Sequence, residues 1–358
     1  MKKTILHIIY NLGRGGAETM LVTVVKELGN YNNIVVTLFP KNHFNDELQC
    51  DKYYCLNLKS ILQLPFAIFK LKKIIKNNKV DIVHSHLFWP TILSRMATPK
   101  NIPLITTIHA FIASSIEYRY RHIRVLDRFT YSLRKNIIIA VAEGAKQEYF
   151  NFLHLKPYKA YTLYTFVDTK IFDYKKSASV DNDQPVFKLI TVAALRQQKN
   201  HMYLLKAFKV LDNKQFQLDI YGEGPLHAGL KLFIENNNLN INLKGEANNI
   251  HELLNEYHLF VMASTYEGFS LSVLEAMAMS MPLLLSDIRS FMEQCADTAL
   301  YFSLKDTTDF ADKLKQLVFD KNKRIEMGVK ARERAINNFT LGHHVTALQK
   351  IYAEALFK

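Results

Sequence analysis

Two carboxylates, Glu267 and Glu275, bracket the segment Glu267-Gly-Phe-Ser-Leu-Ser-Val-Leu-Glu275, in which a tight turn runs into a helical stretch from Leu271 to Ser280. Asn255 to Ser264 reads as a helix end followed by a buried strand, and Pro282 to Ser286 reads as the next strand. Glu267 therefore sits at the carboxyl end of a strand facing a helix N-terminus, where doubly wound sheets bind ligands. Gly268 permits a close backbone turn, and the first helical amides, led in by Phe269, Ser270 and Leu271, face an incoming phosphate. Glu275 lies deeper along the helix, so the two carboxylates reach different depths of one pocket. An ionised carboxylate only accepts hydrogen bonds, which suits paired hydroxyls: one group can hold those of a sugar, the other those of a ribose.

Other positions carry complementary chemistry. Arg196 and Lys199, in Ala194-Leu-Arg196-Gln-Gln-Lys199-Asn200, precede a helix and suit a diphosphate leaving group, whose charge grows as its bond breaks. Gly15 and Gly16, in Gly13-Arg-Gly-Gly16-Ala-Glu18, open a helix after the first strand without the spacing of a dinucleotide fingerprint. Gly222 and Gly224 mark a turn after a strand in Tyr221-Gly-Glu-Gly-Pro225, and Gly245 with Ile250 marks the next one. His109 ends a buried strand. His84-Ser-His86 has zinc-type donors but no third ligand at a suitable spacing, and Asp181-Asn-Asp183 lies in a polar linker, so no metal is assigned.

The elements that must position these groups alternate in type. Short β-rich runs at Thr4 to Tyr10, Asn33 to Phe39, Val80 to Ser85, Leu104 to His109, Ile137 to Ala142 and Ala160 to Tyr164 are interleaved with helical stretches such as Ala17 to Leu28. A polar stretch, Tyr174 to Pro185, reads as a linker. The pattern restarts at Phe187 to Ala193, Gln217 to Tyr221, Ile241 to Lys244, Leu259 to Met262 and Pro282 to Leu285, and Phe339 to Leu356 reads as a terminal helix. A chain of 358 residues, 49% of them hydrophobic, fills two cores. Its three cysteines fit a reducing compartment, and no apolar stretch approaches a membrane span, so a cytoplasmic protein is expected. The formal charge of +13 resides in one half: residues 1–172 hold 24 Lys and Arg against 11 Asp and Glu, whereas residues 173–358 hold 22 of each. That half should face an anionic partner.

The carboxylate segment resembles the E-x7-E motif of the family 4 retaining glycosyltransferases, with Ser270, Ser272 and Ser280 at positions where that family usually has Gly, Pro and Gly. The resemblance extends over nearly the whole chain. It implies an α/β, GT-B architecture of two Rossmann-like βαβ domains facing a central cleft: an acceptor-binding domain over 1–172, a donor-binding domain over 173–338, and a helix over 339–358 returning to the first. Gly15 and Gly16 would lie beside the donor diphosphate and sugar. Gly222, Gly224, Gly245 and Ile250 would line the nucleotide, Glu275 would hold its ribose, and Glu267 and His109 would contact the transferred sugar. Lys199 matches the family's basic motif, whose Arg position holds Ala194 here, so Arg196 would have to substitute in space. Leu163 to Asp168 resembles the interdomain segment, with Thr165 and Phe166 in place of Asn and Gly.

The implied activity is metal- and cofactor-independent retaining transfer of a sugar from a nucleoside diphosphate to a glycan or lipid-linked acceptor, such as a cell-surface polysaccharide or lipopolysaccharide precursor. A GT-B sugar-nucleotide enzyme that is not a transferase, such as a 2-epimerase, is one rival. A nucleic-acid-binding protein is the other, and the absence of a recognisable RNA- or DNA-binding pattern argues against it. Lys59 to Lys79 sets Phe66, Phe69, Ile74 and Ile75 among Lys70, Lys72, Lys73, Lys76 and Lys79. A second cluster combines Arg119, Arg121, Arg124 and Arg128 with Tyr118, Tyr120 and Phe129. Both suit peripheral binding to an anionic membrane, here the inner face of the plasma membrane.

Overall fold

Runs such as Thr-Ile-Leu-His-Ile-Ile and Leu-Phe-Val-Met are apolar along nearly their whole length, which fits strands covered on both faces. The computed structural model describes residues 2–13, 15–115, 117–174, 186–211 and 214–357. It divides into two units, Met1–Thr165 with Leu341–Lys358, and Phe166–Thr340. The first holds β1 (Thr4–Ile9), β2 (Asn32–Thr37), β3 (Lys52–Cys55), β4 (Ile82–His86), β5 (Leu104–Ile108), β6 (Ile137–Ala140) and β7 (Lys159–Thr162). They form one parallel sheet in the order β3-β2-β1-β4-β5-β6-β7. The second holds β8 (Phe187–Val192), β9 (Phe216–Tyr221), β10 (Ile241–Gly245), β11 (Leu259–Met262), β12 (Leu283–Ser286) and β13 (Leu300–Phe302). Its parallel order is β10-β9-β8-β11-β12-β13.

Both sheets are doubly wound, and each reverses its strand order once, between β1 and β4 and between β8 and β11. These are the points where the crossovers leave on opposite faces and a crevice opens beyond the carboxyl ends. Two of the four edge strands, β3 and β13, escape the sequence pattern, while the edges β7 and β10 are caught by it. An edge strand has one neighbour and less cover, so it needs no long apolar run: Lys52 and Tyr53 are exposed, and β13 has only three residues.

The crossing from the first unit to the second falls at Thr165/Phe166 rather than at 172/173, because Val167 pairs with Thr340 and its N–H donates to Phe339 O at 2.8 Å. The linker read over Tyr174 to Pro185 lies, from residue 175 onward, outside the described residues, as does Asp181-Asn-Asp183. The helix Leu341–Leu356 belongs to the first unit. Its Tyr352 OH meets His84 Nδ1 at 2.6 Å, Tyr161 OH donates to Glu354 Oε2 at 2.6 Å, and Leu348, Ile351 and Tyr352 are buried.

Among the described residues no helix is long and apolar enough to cross a membrane. The helix Leu64–Asn77 buries Ala67, Leu71 and Ile75, the i, i+4, i+8 stripe of a helix lying on a sheet. Ile75 therefore belongs to the core and Ile74 is half-buried, so neither stands with the lysines on the open face. Phe66 and Phe69 do, at 72% exposure each, and Leu62 just before the helix is 88% exposed. In the second cluster Tyr118 is buried, whereas Tyr120 and Phe129 are exposed with Arg119, Arg121 and Arg128.

Candidate functional site

In the second unit the chain leaves β8 through Ala193–Lys199 and β11 through Ala263–Glu267, the two loops at the switch point. Gln198 ties them together: its carbonyl accepts from Thr265 N–H at 2.9 Å and its side-chain amide donates to Tyr266 O at 2.8 Å. Across this seam Lys199 Nζ meets Glu267 Oε1 at 2.6 Å, and Ser264 Oγ donates to the same oxygen at 2.7 Å. Ser286, at the end of β12, holds Ser264 by donating to its carbonyl at 2.7 Å. Glu267 is buried, so its carboxylate is fixed as an oriented acceptor. Arg196 is exposed, and its guanidinium has no hydrogen bond or ion pair among the described residues.

The helix Leu271–Ala278 follows, with Ser270 at its N-cap. Gln294, fully buried, brackets Ser270: it accepts from Ser270 N–H at 3.0 Å and donates to Ser270 O at 2.8 Å. The Ser270 amide is thus committed, whereas the amides of Leu271, Ser272 and Val273 lack intrahelical acceptors. Phe269 is buried with its ring 5.1 Å from that of Phe339 and is a packing residue. Ser280 closes the helix with φ of 57°, taking the left-handed turn without a glycine. The glycine requirement has moved to Gly328, where a Cβ would stand 2.0 Å from Ser280 O.

Glu275 projects from the first turns of this helix. It is partly buried and has no hydrogen-bonding partner among the described residues, and burial pushes its carboxyl up to about 7. Two hydroxyl donors would supply what it lacks.

The glycines after β9 and β10 have a structural reason that sequence alone does not reveal. A Cβ on Gly222 would stand 2.1 Å from Ala193 O, and one on Gly224 would stand 2.6 Å from Leu195 O. The turn lies flat against the loop that carries Arg196 and Lys199, with Leu195 N–H donating to Glu223 O at 2.9 Å. Gly222 N–H in turn donates to Gly245 O at 2.7 Å, and Gly245 takes a φ of 72°. Three consecutive strand ends are thereby stacked backbone to backbone. Ile250 lies beyond Gly245 at the start of the short helix Ile250–Leu253, half-buried.

Gly15 and Gly16 belong to the first unit, as N-cap and first residue of the helix Gly16–Glu27 after β1. Both are exposed, and a Cβ on Gly15 would stand 2.5 Å from Glu18 Oε2, so that carboxylate lies over the helix N-terminus.

His109 follows β5 in the same unit, half-buried, with Nε2 3.2 Å from His86 Nδ1. His7 and His84 are register partners on β1 and β4 and point to one face with His86. The sheet therefore supplies the third histidine that chain spacing does not. The three have ligand-capable nitrogens within 4.8 Å of one another. Both His84 nitrogens are nonetheless engaged, with Tyr352 OH at 2.6 Å and Thr107 Oγ1 at 2.7 Å, so the trio offers an ion only two open ligands. Burial holds these rings neutral: His7 is pushed down to about 4, His109 to about 3 with His344 adding to the effect, and His84 and His86 lie well below the usual range.

His86 Nε2 is buried and has no hydrogen-bond partner among the described residues. A buried orphan N–H is costlier than an orphan lone pair, so the His86 proton belongs on Nδ1, donating to His109 Nε2. His109 then carries its own proton on Nδ1 and offers a donor.

Residues 173–334 match the family described as Glycosyl transferases group 1, and residues 14–171 match Glycosyltransferase Family 4. The chain is 26% identical over 298 residues to the N-acetylgalactosamine-N,N'-diacetylbacillosaminyl-diphospho-undecaprenol 4-alpha-N-acetylgalactosaminyltransferase of Campylobacter jejuni, covering 79% of this chain and 80% of that protein. It is 25% identical over 321 residues to the N-acetyl-alpha-D-glucosaminyl L-malate synthase of Bacillus anthracis, covering 84% and 83%. Its fold matches that of the Anabaena protein HepE, crystallised with UDP and glucose, with a TM-score of 0.83 at 15% identity over 98% of this chain and 99% of that one.

Proposed function

We propose that this chain, which belongs to the group 1, family 4 glycosyltransferases of GT-B fold, moves a sugar with retention from a nucleoside-diphosphate donor to an acceptor hydroxyl on a lipid-linked polysaccharide precursor. The observation that carries the reading is the contact of Lys199 with Glu267 at the β8/β11 switch point, together with a Glu275 carboxylate that has no partner among the described residues. One carboxylate is clamped by Lys199 and Ser264, while the other waits for hydroxyl donors.

In this reading Glu275 takes the ribose hydroxyls and Glu267 those of the transferred sugar. Lys199, Arg196 and the amides of Leu271, Ser272 and Val273 offset the growing charge on the diphosphate, and no metal ion is needed. His109 donates from Nδ1 to the sugar. As the bond from the anomeric carbon to the phosphate oxygen breaks, the acceptor oxygen bonds to that carbon on the same face. The acceptor proton passes to the departing phosphate oxygen.

The basic first domain meets the acceptor at an anionic membrane, with Leu62, Phe66 and Phe69 entering the interface and Lys70, Lys72, Lys73 and Lys76 on the headgroups. In this reading the enzyme works on the cytoplasmic face of the plasma membrane.

A panel of nucleotide sugars tested by thermal shift identifies the donor, since a ligand bound only to the native state at a hundredfold excess over its Kd adds about 2.7 kcal/mol. NMR of the product then gives its anomeric configuration. Stabilisation by none of the panel, or a product with inverted configuration, would sink the reading. An acceptor-independent change in the donor sugar would favour the epimerase rival.

A further inference from the structure

The amino ends of β4, β5 and β6 lie at the opposite end of the first sheet from His109, and beside them runs a groove of about 800 Å³. Lys72, Lys76, Lys79, Lys100 and Arg134 line it, with no Asp or Glu among its described lining residues. We infer that this groove is a phosphate site separate from the donor site, taking a phosphate group that is borne by a lipid or free in solution. Such a site would exist whether or not the chain transfers sugars.

Charge is the first support. Arg95 also reaches the groove but is paired with Asp127 at 2.5 Å. None of the four lysine ammonium groups has a hydrogen bond or ion pair among the described residues. The helices Leu64–Asn77, Phe88–Ala97 and Arg121–Ser132 all end here, and helix carboxyl ends attract cations. At about half a negative charge per end, three ends offset about 1.5 of the five positive charges. The remainder has no counter-charge in the groove.

The second is Arg134. Its guanidinium donates to Thr98 O at 2.6 Å and to Ile102 O at 2.5 Å, and it has no carboxylate partner among the described residues. It is half-buried, and desolvation pushes it down to about 10. A partly desolvated cation offset only by carbonyl dipoles gains from an anion. The same two bonds hold the turn that carries Lys100.

The third is Lys79. It follows the helix C-cap Asn78 with a φ of 48°, in the left-handed turn that usually takes glycine. A side chain there costs backbone energy, and this one brings an ammonium to the groove. Met96, Ile102 and Leu133 supply apolar wall, so a phosphate on an apolar body fits better than a bare ion.

The test is calorimetry at low ionic strength with monomeric dihexanoyl phosphatidic acid and glycerol 3-phosphate, and with dihexanoyl phosphatidylcholine as the net-neutral control. The expected result is saturable binding of phosphatidic acid, one per chain, and none of phosphatidylcholine. Lys79→Gly and Lys100→Gln should each weaken that binding about fivefold, the worth of one charge close to water. Lys79→Gly should also melt no lower than wild type, because glycine suits the turn, whereas a merely structural lysine would leave the affinity unchanged. Lys199→Met, which removes a cation from the donor site, should leave phosphatidic acid binding as it is.

Glycerol 3-phosphate bound as tightly would identify a free phosphate as the source, and its failure to bind would identify a lipid; either supports the site. Equal binding of phosphatidylcholine, binding of neither phosphate, insensitivity to both lysine variants, or loss in Lys199→Met overturns the proposal. Lys100→Gln lies on an exposed turn and keeps the test decisive if Lys79→Gly does not fold.

Discussion

Replacing Glu275 with Gln should make the unliganded protein more stable while weakening its hold on the nucleotide. Burial without a donor raises this carboxyl from the ordinary 4.5 to about 7. A group whose folded value is raised keeps its proton more tightly in the native state. Its favourable contribution is therefore complete below about pH 4.5 and is lost as pH rises through about 7. At about 1.4 kcal/mol per pH unit, the gap corresponds to about 3 kcal/mol of stability that the wild type forfeits above neutrality. Gln cannot ionise and forfeits none.

Denaturant unfolding of both proteins should thus show a difference near zero at about pH 4 that grows to about 3 kcal/mol in favour of Glu275→Gln at about pH 8. Nucleotide binding should show the other side. Ribose hydroxyls that stabilise the ionised form would make the wild type release a proton on binding near pH 6, detectable by calorimetry in buffers of different ionisation enthalpy; the variant would release none from this site. A Glu275→Gln protein less stable than wild type at pH 8, or a stability gap independent of pH, would refute the reasoning.

The clamped carboxylate behaves oppositely. Lys199→Met leaves Glu267 buried with Ser264 and a long contact to Gln198, and should lower stability by about 2–3 kcal/mol and turnover about a hundredfold. Adding Glu267→Gln should recover much of the stability but none of the turnover, as measured by denaturation and initial rates. Glu267→Gln alone should depress turnover more than nucleotide affinity. Sugar transfer should persist in EDTA; activity lost on chelation and restored by Mg²⁺ or Mn²⁺ would refute a metal-free diphosphate site. Salt-reversible binding to anionic vesicles is expected in sedimentation assays and should weaken on changing Lys70, Lys72, Lys73 and Lys76 to Glu, with donor binding kept. Failure to bind at low salt would remove the membrane assignment.

Local chemistry was legible in the chain wherever one element carries it. Among the described residues eleven of the thirteen strands are legible as short β-rich runs, and Glu267 and Glu275 stand out because both belong to one strand–turn–helix unit. The edge strands β3 and β13 were not legible, the first because its leading residues Lys52 and Tyr53 are exposed and the second because it has only three residues. Contacts between separate crossovers were also hidden. That Lys199 clamps Glu267, that Gln294 uses up the Ser270 amide, and that Gly222 and Gly224 serve a backbone approach to Ala193 and Leu195 all depend on strand order.

The same holds for the histidines. The two on β4 are visible as a pair, but His7 joins them only because β1 and β4 are neighbours in register. Periodicity reports which face of an element is buried. Which loops meet at the end of a parallel sheet is set by the order and hand of its crossovers, a property of the whole domain that no window of sequence contains.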